Sequence, residues 1–440
     1  MWEEFFVLIT RELIICLKVL NKKEGDNMIN IAMLGYGVVG SGVAELIFRN
    51  RDKFKDELNE ELVLSKILVR NISKHIDNKN KELLTEDIDD IFKEKVDIIV
   101  EAMGGLDPSY EYVKRALNMK KHVVTANKDL IAEYGYELLQ IAKKNGVTIH
   151  FEASVGGGIP ILKSINECLV GNEIKSIKSI LNGTTNFILS KMNHNGMSYT
   201  EALELAQKLG FAEANPESDV KGYDAARKLS ILSTIAYNRR VDWKDINIEG
   251  ITEIDEYDFK YAKMEKCSIK LMGISKLGSK HIYATVMPVM VKEDSVLGKI
   301  EDEYNAILVE GDAVGDVMFS GKGAGMFPTA SAVFADIADI VKQKRKKCIT
   351  FSSEKAEIDK SWGLKGKWFL RVKTQNRVKI IQGISSSFKS CYILSSTFSG
   401  NKEEVVAFVN ADNEVCIDNY IEKVKSEGEA CDVKKLLILH

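Results

Sequence analysis

Residues 28–50 read MINIAMLGYGVVGSGVAELIFRN, and this stretch decides the fold. Its opening, MINIAML, is a short continuous apolar run of the kind that a parallel sheet buries on both faces. The run enters Gly35-Tyr36-Gly37-Val38-Val39-Gly40, a G-x-G-x-x-G string, and VAELIFRN continues as a helix. In that strand–turn–helix setting Gly35 permits the tight turn and Gly37 lets the backbone approach a pyrophosphate. Gly40 allows the helix to pack closely on the strand. The helix N-terminus adds unpaired N–H groups and the positive end of a dipole. An isolated string of this kind also fits an ordinary glycine turn; the setting points to a dinucleotide.

Outward from this unit, strand and helix alternate. LVLSKILVR, VDIIVEAMGG, KHVVTANK and VTIHFEAS read as strands, PSYEYVKRALNMK and DLIAEYGYELLQIAKK as helices. Such alternation implies a doubly wound α/β sheet that binds ligands at the carboxyl ends of its strands. The second strand ends at Arg70, with Lys74 nearby, where an NAD-selective site usually carries a carboxylate. A cation there suits a 2′-phosphate and favours NADP over NAD, unless Arg70 is simply an exposed strand end.

The 440 residues suggest two to four domains at about 150 residues each. Hydrophobic residues at 45% and charged residues at 28% suit a globular chain with a sizeable core. With 61 Lys+Arg against 64 Asp+Glu the net charge is −3, so no overall basic field is present to hold nucleic acid. The seven cysteines are scattered without a C-x-x-C pair, which gives neither a zinc site nor a disulfide framework and fits a reducing cytoplasm. Residues 1–27 are apolar but broken by Arg11, Glu12 and Lys18, too interrupted for a membrane span. Because a strand opens at Met28, they read as a non-native or disordered extension, with an amphipathic docking helix as the alternative.

After Ser154 the character changes. VGGGIP leads into the helical ILKSINECL, and SIKSILNGTTNFIL, SYTEALELAQKLG and YDAARKLSILSTIAY follow. HIYATVMPVMV, YNAILVEG and GDVMFSG then read as antiparallel strands of an α+β region. The last 90 or so residues follow a basic stretch, KQKRKK, and read as a separate small α/β module.

The sharpest chemical signal is the helix beginning near Tyr223. Asp224 and Lys228 stand four apart on a line continued by Ile231 and Ile235, so the pair is not fully solvated. The bland reading is a surface ion pair worth a few tenths of a kcal/mol. Glu213 and Asp219 in the preceding loop add carboxylates suited to a substrate ammonium, and a partly buried lysine can serve as a proton donor. Lys128 follows the KHVVTAN strand at the carboxyl edge and is either a second candidate or a surface lysine. LNGTTN, residues 181 to 186, offers N–H groups and hydroxyls suited to a carboxylate, or merely a turn.

Taken together, these strings resemble homoserine dehydrogenase, the NAD(P)-dependent enzyme that interconverts aspartate 4-semialdehyde and homoserine. The resemblance rests on GYGVVG, TANKDL (125 to 130), FEASVGGGIPIL (151 to 162), LNGTTNFIL, FAEANPESDVKGYDAARKL (211 to 229) and GKGAGMFPTASAVFAD (321 to 336). It implies that Lys128 and Lys228 are the catalytic lysines, with Lys228 the proton donor and Asp224 orienting it. Glu213 and Asp219 would take the substrate ammonium, with Gly183 and Thr184 near its backbone. Gly35, Gly37, Val38, Val39, Gly40, Arg70, Lys74, Gly104, Thr125, Asn127, Lys128, Gly323 and Gly325 would hold the cofactor. Glu152, by its side chain, and the carbonyls of Val155, Gly157 and Ile159 would hold Na⁺ or K⁺, a donor set that suits an alkali ion better than a transition metal.

The resemblance also implies a homodimer or homotetramer without nucleic-acid or membrane partners, serving threonine and methionine biosynthesis. The expected organisation is a Rossmann-type domain over 28–154 completed by 321–345, and a substrate and dimerisation domain over 155–320. Over 350–440 WFLRVKTQNRVKIIQGISSSF resembles the start of an ACT module. Its turn reads Gln375-Asn376-Arg377-Val378 in place of Asp-Arg-Pro-Gly, which weakens the case for an effector such as threonine. Phe211 stands where the family often has tyrosine. Two other functions fit these residues less well. Aspartate-semialdehyde dehydrogenase needs a nucleophilic cysteine with a base, yet Cys168 sits in an apolar segment and none of the six histidines has a partnering context. A catalytically silent NADP or amino-acid sensor would have no use for both lysines and their carboxylates.

Overall fold

A computed structural model of the chain describes residues 28–342 and 349–439, apart from 59, 76–77, 360–362, 396 and 400–402. The extension expected over 1–27 lies outside the described residues, as does the end of the first-domain segment after 342.

Six parallel strands build the first sheet: β1 (Met28–Leu34), β2 (Glu61–Leu68), β3 (Leu84–Thr85), β4 (Ile98–Glu101), β5 (His122–Thr125) and β6 (Ile149–His150). Their order is β3-β2-β1-β4-β5-β6, the doubly wound arrangement, with the chain reversing beside β1. Ile31 to Leu34 are fully buried, as an apolar run between two parallel neighbours requires. Gly35 follows at φ +99°, and a Cβ there would lie 2.8 Å from the Ala102 carbonyl oxygen beyond β4. A side chain at Gly40 would meet the Gly35 oxygen at 2.3 Å, so the turn and the helix Val38–Arg49 close directly on each other. The helix Met326–Lys342 returns to this domain and packs on Val38–Arg49, with Met326 and Ala330 filling the space a side chain at Gly42 would need.

The second sheet holds the remaining strands: β7 (Ile174–Ile180), β8 (Asn247–Ile248), β9 (Cys267–Leu277), β10 (Ile282–Lys292), β11 (Tyr304–Gly311), β12 (Gly315–Lys322), β13 (Gly366–Lys373), β14 (Cys391–Ile393), β15 (Glu404–Ala411) and β16 (Asp432–Leu439). They run β12-β11-β7-β9-β10-β16-β13-β15-β14, with β8 on β10 beside β16. The C-terminal part alternates strand, helix, strand, strand, helix, strand, a ferredoxin-like order with its four strands antiparallel.

The tail is joined to the second region through the sheet. Val289–Val291 of β10 pair in parallel with Leu437–Leu439 of β16, so one sheet runs through both regions. Met272, Tyr283 and Val289 share a buried cluster with Trp368, Leu370 and Ile384. Buried charges reinforce the junction: Arg371 of β13 meets Glu404 at 2.8 Å, Asp255 at 2.8 Å and Asp258 at 3.0 Å. Other local differences are smaller. Ile149–His150 is a two-residue strand followed by a turn at Glu152–Ser154, and the helical ILKSINECL is a π-type turn over Ser164–Cys168. β9 carries no strand signal in the sequence. Lys270 is buried in it at 2% exposure, and Gly273 interrupts its apolar run, so the alternation that marks a strand is lost. No helix among the described residues is long and apolar enough to cross a membrane.

Candidate active site

Two helices aim charged groups into one cleft. After β5, the Asn127 side chain caps the helix Lys128–Asn145 by accepting from the Leu130 N–H at 3.1 Å, which places Lys128 in its first turn. The helix Tyr223–Tyr237 begins after Gly222, whose φ of +85° turns the chain into it. Asp224 and Lys228 thus share a face, with Lys228 Nζ 2.7 Å from Asp224 Oδ2. Lys128 Nζ approaches the other oxygen, Oδ1, at 3.1 Å. Lys228 also donates to the Leu181 carbonyl at 2.9 Å.

The surface-pair reading fails here, because Asp224 is only 4% exposed. Burial opposes its charge, but the ammonium groups of Lys228 and Lys128, with hydrogen bonds from Lys228 and Asn182, outweigh that and hold the carboxyl well below the usual range. Asp224 in turn raises Lys128 above the ordinary lysine value, against the effect of burial. Asp219 moves the other way: burial and the like charge of Asp224 raise it, opposed by Asn182 and the lysines.

The cleft holds about 620 Å³ and is lined by Lys128, Lys228, Asp219, Thr184, Glu213 and Gly323 among others. Gly183 opens the helix Gly183–Asn195 and must be small, since a Cβ would lie 2.7 Å from the Glu303 carbonyl. Thr184 Oγ1 donates to the Phe211 carbonyl at 2.6 Å, so its hydroxyl is engaged. Glu213 is exposed at the rim.

Sequence reasoning missed Asn182. Its Nδ2 donates to Asp224 at 2.8 Å and to Asp219 at 2.7 Å, while its Oδ1 caps the Gly183–Asn195 helix. The readable signal was an Asn directly before a glycine-led helix. Glu303 and Lys322, paired at 3.3 Å in the cleft lining, carried no sequence signal because the pair forms only when β11 and β12 lie side by side.

At the cofactor end, nothing of the protein lies within 4 Å of a Cβ built on Gly37, and Val38 is 66% exposed at the helix start. Those open N–H groups fit a pyrophosphate. Val39 and Gly40 continue that first turn. Arg70 and Lys74 are exposed beyond the carboxyl end of β2. Gly104, at φ +73°, leaves open space beyond β4, and Gly325 reaches the same cleft as Gly323.

Three of the expected residues have side chains engaged within the protein itself. The Thr125 and Asn127 side chains face inward, at 0% and 4% exposure. Thr125 Oγ1 donates to Glu101, and Asn127 Nδ2 donates to the Gly105 carbonyl at 2.6 Å, so neither side chain is available to the cofactor. Both brace the loops around Glu101, a fully buried carboxylate that also accepts the Met103 and Gly104 N–H groups and is raised by burial. Glu152 does not offer its side chain to a cation: its oxygens accept the Leu162 and Lys163 N–H groups at 2.8 and 2.9 Å. Burial and the nearby Asp336 push it up to about 7. The carbonyls of Val155, Gly157 and Ile159 lie on the adjacent buried loop, where Gly157 passes so close to the Gly323 carbonyl that no side chain fits.

This arrangement, two ammonium groups sharing one carboxylate at the mouth of a dinucleotide fold, suits proton transfer beside a hydride acceptor. Family comparison agrees. The model for the NAD-binding domain of homoserine dehydrogenase matches residues 35–152, and that for homoserine dehydrogenase matches 160–338. The chain is 40% identical to the homoserine dehydrogenase of Bacillus subtilis (strain 168) over 366 residues, 82% of this chain and 84% of that protein. It is 37% identical to that of Helicobacter pylori (strain ATCC 700392 / 26695) over 424 residues, 93% of this chain and 99% of the relative. A crystal structure of the Thiobacillus denitrificans enzyme superposes with TM-score 0.85 at 32% identity, covering 94% of this chain and 98% of that one. A hyperthermophilic archaeal homoserine dehydrogenase in complex with NADPH superposes with TM-score 0.62 at 29% identity, over 72% of this chain and 98% of its own. With matched ranges that take in its cofactor turn and its lysine–aspartate–lysine cluster, and with most of its length covered, the chain belongs to the homoserine dehydrogenase family, NAD(P)-dependent oxidoreductases that act on a CH–OH group.

Proposed function

We propose that the chain interconverts L-aspartate 4-semialdehyde and L-homoserine with NADP(H) as its preferred cofactor, within threonine and methionine biosynthesis. The observation that carries this reading is the Lys128–Asp224–Lys228 cluster at the carboxyl edge of the first sheet. Bound NADPH supplies a hydride to the aldehyde carbon. Lys228 gives its ammonium proton to the aldehyde oxygen, and Asp224 together with the Leu181 carbonyl holds that amine in place. Lys128 adds a second positive charge where negative charge develops. Asp219 and Glu213 face the substrate ammonium, and the N–H groups of Gly183 and Thr184, at a helix N-terminus, suit its carboxylate.

Arg70 and Lys74 support the NADP preference. Initial rates with homoserine test it: NADP should give the higher kcat/KM, and Arg70→Ala should erase that advantage while leaving the NAD rate nearly unchanged. Equal rates with both cofactors in the unmodified enzyme would overturn the preference. An alkali ion would rest on carbonyls alone, since Glu152 is bonded inward, and no chemical step depends on it. The ferredoxin-like order of the tail supports an ACT-like module. At its expected effector turn Asn376 caps the following helix instead, accepting the Lys379 N–H at 3.2 Å. A homodimer in the cytoplasm completes the proposal; the five described cysteines are all free, as a reducing setting allows.

A further inference from the structure

A second cavity, of about 250 Å³, lies between the Lys128–Asn145 and Tyr223–Tyr237 helices and shares no lining residue with the catalytic cleft. Ile131 and Ile231 in its wall stand three residues beyond Lys128 and Lys228, so it backs directly onto both lysine-bearing turns. The chain that leads into the C-terminal strands closes its third side. There Phe351 packs on Gly135, Arg240 N donates to the Glu354 carbonyl at 2.8 Å, and Ala356 N donates to the Arg240 carbonyl at 2.7 Å.

Arg240 sets the chemistry of this space. Its guanidinium stacks 4.1 Å from the centre of the Tyr136 ring, and Nη2 donates to the Ser353 carbonyl at 3.1 Å. Its Nε is buried and meets no acceptor. An N–H on a charged group left without an acceptor is costly, more so than a neutral one. Lys355, a second cation at the rim, is held by Asp245 at 3.2 Å and Asp242 at 3.7 Å. Ile131, Ile231 and Phe351 supply apolar wall, and the two lining carboxylates, Glu133 and Asp242, are each paired already, with Lys244 at 2.6 Å and Lys355 at 3.7 Å. A guanidinium edge beside an apolar wall matches a carboxylate on a short hydrocarbon body. The volume falls below the range usual for drug-sized ligands, so the ligand is small.

We infer that this cavity is a second binding site, for the carboxylate of a small aliphatic molecule, and that its occupancy fastens residues 349–358 against the two lysine-bearing helices. The binding claim is independent of which residues perform the chemistry; the coupling claim rests on the lysine assignment above.

Isovalerate and L-valine are suitable probes, sharing a branched body and differing in the ammonium group. Calorimetric titration of each into the full-length protein should show saturable binding. Arg240→Gln, which removes the charge, and Ala132→Leu, which fills the space, should each weaken it about tenfold or more, with turnover of homoserine in the absence of probe unchanged. L-Valine binding more tightly would mark an amino acid as the natural class, and isovalerate a simple carboxylate; both rankings support the site. Absence of binding by both probes, or undiminished binding in Ala132→Leu, would overturn it. Because Ala132→Leu keeps the Arg240 contacts, the test survives even if Arg240→Gln fails to fold. A protein that binds the probes but proves inactive on homoserine would refute the functional reading and leave the cavity assignment standing.

Discussion

At the scale of single residues, the site depends on one carboxylate serving two amines. Asp224 holds Lys128 above the ordinary lysine value, so it keeps that amine charged further into the alkaline range. Replacing Asp224 by Asn removes that support and lowers the Lys128 pKa. The alkaline limb of the kcat/KM profile should then move toward lower pH, with the maximal rate down about a hundredfold. An alkaline limb that stays in place would show that the pair is not coupled in function. Gly37 offers a cleaner separation of folding from binding. Its Cβ position is empty of protein atoms, so Gly37→Ala should melt with the parent. The added methyl would stand where phosphates approach, and KM for NADPH should rise about tenfold or more. The sequence already pointed to both residues, because helical spacing and a glycine turn are local patterns. Asn182 was legible as a helix cap but not as a partner of Asp219 and Asp224, and Glu303 and Lys322 were not legible, since these pairings join residues more than ten positions apart in different elements.

Among elements, the first sheet was readable almost strand by strand because buried parallel strands are continuous apolar runs punctuated by glycine. The second sheet was less so. β9 hides behind a buried lysine, and the pairing of β10 with β16 spans residues 289 and 437, a register that no local pattern encodes. Arg371 on β13 illustrates what such non-local contacts hold together. Its side chain is 5% exposed and bridges Asp255, Asp258 and Glu404, of which Asp258 and Glu404 are almost fully buried. Removing one partner from such a set strands charges away from water. Arg371→Ala is therefore expected to cost about 3 kcal/mol, measured by chemical denaturation, because Lys434 still reaches Asp255 and Asp258. A loss of a few tenths would mean that the cluster is solvated.

For the molecule as a whole, the C-terminal region is part of the structural frame. Deleting residues 350–440 would bare the β10 edge and half of a shared apolar core. The truncated chain should aggregate or lose its cooperative melting transition; a soluble, fully active truncation would show the two regions to be independent. The central claim is narrower: the amine of Lys228 delivers the proton while the glycine turn, at a different strand end, holds the cofactor. It is tested most directly by measuring, in Lys228→Ala, both turnover of homoserine with NADP and the affinity for NADPH by fluorescence titration. We expect turnover to fall about a thousandfold with NADPH affinity within about twofold of the parent enzyme. Parental turnover in this variant would contradict the account.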